Sequence, residues 1–155
     1  DKESFKYIKY TFDFENYLNF DRKNAIYLDL KLGTANERMP VIDKYFLDMR
    51  GFYNFENYNS TKFTGNHILE GTLEYQLRPF IQTEKFYKEF TVYNYLDFGR
   101  TGQEKLQFSD LNKSVGLGIR TQTLLGELDL SYNYVFGDGK NFETNDYNLS
   151  LIKKF

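Results

Sequence analysis

The sequence predicts an all-β fold, an antiparallel β-barrel whose strands cross a membrane. Three observations lead there. Apolar and polar residues alternate with a period of two in segment after segment. Aromatic residues, all of them Tyr or Phe, make up 19% of the chain, whereas Pro occurs only twice. The connections between segments are short and long by turns. Averaged hydropathy would suggest a soluble protein, and no run approaches the ~18 to 20 apolar residues of a membrane helix. An average conceals a barrel, however, because each strand sets lipid-facing side chains against lumen-facing ones.

Seven segments show this alternation. In "FKYIKYTFDFENYLNF" (5–20), Ile8, Tyr10, Phe12 and Phe14 oppose Lys9, Thr11, Asp13 and Glu15. In "AIYLDLKLG" (25–33), Ile26, Leu28, Leu30 and Leu32 oppose Tyr27, Asp29 and Lys31. "ILEGTLEYQLRP" (68–79) sets Leu69, Leu73, Tyr75 and Leu77 against Glu70, Thr72, Glu74, Gln76 and Arg78. "FTVYNYLDFG" (90–99) carries Phe90, Val92, Leu96 and Phe98 on one face, with Asn94 as the exception. "VGLGIRTQT" (115–123) points Val115, Leu117 and Ile119 outward, and Gly116, Gly118, Arg120 and Gln122 inward. "GELDLSYNYVF" (126–136) opposes Leu128, Leu130, Tyr132 and Tyr134 to Asp129, Ser131 and Asn133. The last segment, "YNLSLIKKF" (147–155), aligns Tyr147, Leu149, Leu151 and Phe155, with Ile152 and Lys153 out of pattern. Lengths near ten residues suit strands tilted across a bilayer.

The connections 21–24, 80–85 and 123–126 are short, and Pro79 is expected to end its strand. Those at 34–66, 100–112 and 137–145 are long and polar. Short turns on one side with long loops on the other is the pattern of bacterial outer-membrane barrels. A soluble β-sandwich would alternate in a similar way. It accounts neither for the loop asymmetry nor for a chain that ends on an aromatic strand residue. A rival accounting takes "VIDKYFLDMR" (41–50) as an eighth strand and the chain as a free-standing small barrel.

The connection 34–66 is too apolar for a disordered loop, with Phe46, Leu47, Met49, Phe52, Tyr53 and Phe55. A long connection of this kind in a compact domain is usually functional. If it folds into the barrel, Arg50 leaves bulk water and requires carboxylate partners. Glu74 and Asp97, inward by their register on neighbouring strands, are available, and Gly51 permits a sharp turn beside them. On spacing alone the other placement stays open, with Arg50 exposed and both acids solvated.

Composition excludes several classes. Lys plus Arg number 20 and Asp plus Glu 22, which leaves no footprint for nucleic acid. No cysteine is present, so disulfides and thiolate metal sites are not expected. His67 is the single histidine, at a strand edge near the loop side. Glu127 and Asp129 share an inner face and are expected to be solvated in the lumen. With no phosphate loop, Ser-His-Asp set or metal cluster, neither catalysis nor a cofactor is expected within these residues.

Five stretches, "MRGFY" (49–53), "GNHILEGTLEYQLRP" (65–79), "YLDFG" (95–99), "VGLGIRTQTLLGELDLSYNY" (115–134) and the final "YNLSLIKKF", follow one another in this order. Together they resemble the C-terminal half of the barrel in the BamA superfamily. That superfamily includes TamA, two-partner secretion translocators such as FhaC, and patatin-like autotransporters. The likeness is most specific at Arg50-Gly51-Phe52, at Gly65-Asn66 before a Leu-Glu strand, and at Asp97-x-Gly99. Met49 stands where Val or Ile is usual, and "FLDMRGF" lacks the glycine pair that often precedes the motif.

The resemblance implies that Arg50 is a lumenal loop arginine held by Glu74 and Asp97. It also implies that Tyr147, Leu149, Leu151, Lys153 and Phe155 form a signal read by the outer-membrane assembly machinery. Counting back from a periplasmic Phe155, strand parity expects further strands upstream. Residues 1–155 then form the C-terminal part of a sixteen-stranded barrel, preceded in such proteins by POTRA domains. The function implied is protein insertion or translocation, through strand pairing at a lateral seam. The alternatives are a membrane anchor for a patatin-like phospholipase passenger and a small structural barrel. Expected partners are outer-membrane lipid, the assembly machinery, and client proteins or a passenger; self-association is left open.

Overall fold

In the computed structural model, the alternating segments form one continuous antiparallel sheet. The structure describes residues 6–50, 63–80, 90–104, 111–123, 126–136 and 143–152, the last of these by backbone path. The strands are β1 (Lys9–Asn19), β2 (Asn24–Ala35), β3 (Tyr45–Phe46), β4 (Thr64–Gly65), β5 (His67–Phe80), β6 (Phe90–Gly102), β7 (Asn112–Thr123), β8 (Gly126–Phe136) and β9 (Glu143–Ile152). Seven of them pair in the order β1-β2-β5-β6-β7-β8-β9, so every strand neighbours the next spanning strand in sequence. β3 and β4 form a two-residue ladder of their own inside the β2–β5 connection.

The two faces of this sheet reverse the solvent rule of a soluble protein. Leu73, Leu96, Leu117, Ile119 and Leu130 are exposed, while Glu74, Gln76, Asp97, Ser114 and Asn133 are buried. In water, an exposed apolar face of this extent beside a buried polar one would be costly. In a bilayer the outer face meets acyl chains. Among the described residues no second sheet covers Leu73 or Leu130, which removes the sandwich alternative.

The turn β1–β2 is closed by Asp21, whose carboxylate accepts from the Asn24 side-chain amide at 2.8 Å and the backbone amides of Lys23 and Asn24 at 2.6 and 2.7 Å. Those bonds, the Asn24 side chain first, hold the carboxyl below its usual range. β5 continues past Pro79 to Phe80, with a register shift between Leu77 and Phe80. Proline does not end this strand because an irregular position spares the missing ladder donor. β9 begins at Glu143, four residues before the alternation becomes legible, because it pairs along β8 as far as Phe136. Residues 41–50 are not a spanning strand. Val41–Asp43 make a single 3-10 turn and Tyr45–Phe46 the short β3. The eighth-strand accounting therefore fails.

The apolar residues of the β2–β5 connection build two small cores on the inner face. Met39 and Tyr45 pack with Ala35 and Ile68. Leu47, Met49 and Phe63 form the other. Each large side chain removed from water contributes about 1.5–3 kcal/mol, which is what holds so long a connection against the wall. Its two ends are tied by Asn66. That side chain accepts from the Met39 backbone amide at 3.1 Å and donates to the Gln103 carbonyl at 2.8 Å.

Candidate functional site

The inward connection brings Arg50 to the middle of the wall. Glu74 lies seven residues into β5 from His67, which at ~3.3 Å per residue is about 23 Å along the strand. The Arg50 Nη1 donates to Glu74 Oε2 at 2.5 Å. Its Nε and Nη2 take the two oxygens of Asp97 at 2.9 and 2.8 Å, and its backbone amide adds 3.2 Å to Oδ2. The guanidinium fork thus spans two acids on adjacent strands. Both carboxylate side chains are 3% exposed, and a buried carboxylate is costly unless it is paired and hydrogen-bonded. Burial works against the Arg50 charge, but the bonds and charges of Asp97 and Glu74 outweigh it and raise its pKa above the ordinary value.

Strand register explains why the acids converge. β5 and β6 pair Thr72 with Asp97 and Glu74 with Tyr95. Asp97 therefore sits one inward row from Glu74, within the reach of one guanidinium. The Thr72 hydroxyl donates to Asp97 Oδ1 at 2.9 Å and orients it. The Tyr95 ring lies 3.5 Å from the Arg50 Cζ, a cation–π contact on the wall side. Upstream of Arg50, the Asp48 backbone amide donates to Glu70 Oε1 at 3.0 Å. Gly99 leaves room for this approach: a Cβ there would stand 2.5 Å from Leu47 and 3.2 Å from Met49. Gly65 does the same at the loop's return, where a Cβ would stand 2.5 Å from the Gly102 carbonyl oxygen.

A second guanidinium was not singled out by the sequence. Arg120 on β7 pairs directly across from Asp129 on β8. Its Nε donates to Asp129 Oδ2 at 2.9 Å and lies 3.5 Å from Glu127 Oε1. Its guanidinium lies over Tyr93, with Cζ 4.7 Å from the ring centre, and its Nη1 reaches Glu74 Oε1 at 3.4 Å. The Tyr93 hydroxyl donates to Asp129 Oδ1 at 2.5 Å. Glu127 and Asp129 are thus ion-paired, not merely solvated as expected. The register was recoverable: the tight "TLLG" connection sets Thr123 opposite Gly126, which by counting puts Arg120 opposite Asp129.

A family model, the Omp85 superfamily domain, matches residues 2–155. The chain belongs to that superfamily. No curated protein and no solved structure matches it significantly. Omp85 domains are outer-membrane β-barrels of protein insertion and translocation, which agrees with the BamA-type resemblance and with the outward apolar face. Among the described residues no helix is long and apolar enough to span a membrane and no His, Cys, Asp or Glu cluster could hold a metal. His67 donates to or accepts from the Thr34 hydroxyl at 2.8 Å, at the mouth of the wall.

Of the residues singled out from the Omp85-type motifs, the structure brings together Arg50, Glu74, Asp97 and Gly99. Gly51 and Phe52 lie outside the described residues, as do Lys153 and Phe155. Tyr147, Leu149 and Leu151 lie on β9, opposite Tyr132, Leu130 and Leu128 of β8.

Proposed function

We propose that this chain is the C-terminal wall of an outer-membrane barrel that inserts or translocates proteins by strand pairing at a lateral seam. In this reading the β2–β5 loop is a lumenal lock closed by Arg50 on Glu74 and Asp97, with Gly99 leaving room for its path and Gly51 and Phe52 completing the motif. The observation that carries the reading is a loop cation drawn about 23 Å along the wall onto two buried acids, in a chain of the Omp85 superfamily. A purely structural barrel has no need of a loop so deeply seated. β9 supplies one side of the seam, where unpaired backbone in lipid is costly and a client strand relieves the cost. Tyr147, Leu149, Leu151, Lys153 and Phe155 form the assembly signal, with the C-terminus at the periplasmic face. Partners are lipid, the assembly machinery, and client proteins or the protein's own passenger.

The test is replacement of the gene by one encoding Arg50→Ala in the full-length protein. Client proteins, or the passenger, should reach the membrane or surface less, while the variant itself still inserts. Wild-type delivery with an undocked loop would refute the lock. Deletion of Phe155 should slow the protein's own assembly, measured as heat-modifiable migration on gels after a pulse of synthesis.

A further inference from the structure

The two acids that hold Arg50 are not equivalent. Among the described residues, Asp97 has one other side-chain partner, the neutral Thr72 hydroxyl. Glu74 has a second cation beside it. Arg50 takes Oε2 at 2.5 Å, while Oε1 accepts from Gln76 Nε2 at 2.8 Å and faces Arg120 Nη1 at 3.4 Å. Arg120 is anchored more tightly to Asp129, at 2.9 Å, so it stands beside Glu74 at the outer limit of a hydrogen bond.

We propose that Arg120 is a standby counter-ion for Glu74: when the loop withdraws Arg50, Glu74 passes from the loop arginine to the wall arginine. The proposal rests on the lock and adds a mechanism for opening it. Without Arg120, withdrawal of Arg50 leaves a carboxylate side chain 3% exposed with, among the described residues, only the Gln76 amide bonded to it, which strongly disfavours the released state. With Arg120, closing the 3.4 Å gap keeps Glu74 neutralised, and Asp97 alone loses its cation. Arg120 is therefore a positioning residue that lowers the cost of opening. In the docked state it also repels Arg50 across the shared acid. Both effects favour release, so its removal should tighten the loop. A residue that merely buttressed Glu74 for Arg50 would do the opposite, and the sign separates the two roles.

The chain has no cysteine, and Met49 is buried in the docked loop. A Met49→Cys reporter in the full-length protein, in outer-membrane vesicles, reads loop release as the rate of labelling by an impermeant maleimide. Folding of each variant is checked by heat-modifiable gel migration. Arg120→Gln should slow labelling about fivefold, the size of a ~1 kcal/mol charge interaction. Arg120→Lys should label like the parent. Asp129→Asn, which frees Arg120 to compete for Glu74, should speed labelling, and it carries the test alone if Arg120→Gln does not fold. Asp97→Asn should speed labelling more than Glu74→Gln. If Arg50→Ala speeds labelling but Arg120→Gln does so too, or leaves it unchanged, the standby role is wrong and the lock stands. If Arg50→Ala leaves labelling unchanged, the lock itself is wrong.

Discussion

Leu96 and Asp97 are adjacent on β6, yet 36% of the leucine is exposed and only 2% of the aspartate. The same reversal separates Leu73 from Glu74 on β5, at 44% and 2%. The outer face of these strands is mostly apolar and turned to lipid, with Asn94 as a polar exception. The inner face is heterogeneous, and the buried charges at its centre are matched by geometry: Glu74 and Asp97 by the Arg50 fork, Asp129 by Arg120 and the Tyr93 hydroxyl. The difference shows how one sheet can tolerate substitution on one side and not on the other. Outward, hydrophobicity suffices. Inward, a buried charge is acceptable only with its partner in place.

This contrast can be broken from either side. The largest effect is expected inside: Arg50→Ala leaves the buried Asp97 without its cation and Glu74 with the more distant Arg120 at 3.4 Å, and should cost about 3 kcal/mol of loop docking, the low end for a buried pair because the arginine side chain keeps some water. Limited proteolysis of the loop in folded protein measures it. If the loop resisted protease as in the parent, the inner face would not depend on matched charge. On the outer face, Leu130→Arg should cost ~2–4 kcal/mol, read from urea unfolding in vesicles. A tolerated arginine there would mean that Leu130 faces water.

Asn66→Ala sharpens the comparison at the mouth of the wall. It removes an acceptor for Met39 and a donor to Gln103 from a buried position, and should cost ~1–3 kcal/mol. Loop proteolysis should rise while the strands stay intact. The smallest effect is expected for Glu15→Gln on β1, an exposed inner-face acid opposite Asp29. Solvent screens that pair, so the change should stay within about 0.5 kcal/mol. A large gain in stability would show that even the exposed acids are strained by like charge.

Much of the wall was legible because a strand's period of two is a local property. All seven spanning strands fell where alternation put them, and Asn94, the residue that broke the pattern of β6, stands exposed on the outer face. Pairing extended them beyond what alternation could mark, through Pro79 on β5 and back to Glu143 on β9. The β2–β5 connection was less legible. Its apolar content implied packing, but the 3-10 turn, the β3–β4 ladder and the role of Asn66 follow from contacts with distant strands. Arg50, Glu74 and Asp97 could be nominated from register plus resemblance. Tyr95, Tyr93 and Arg120 could not be read from alternation alone, since their importance lies in which residues the adjacent strands bring beside them.

Alternation along the chain was enough to decide which side chains face lipid and which face inward, because successive Cβ atoms of a strand point to opposite faces whatever its neighbours are. It could not decide which inward charges meet. That required the hairpin registers and the descent of the loop, which set two guanidiniums around one glutamate at 2.5 and 3.4 Å. Electrostatic partnership in a buried site depends on ångström-scale distances between strands, and those exist only once the sheet has formed.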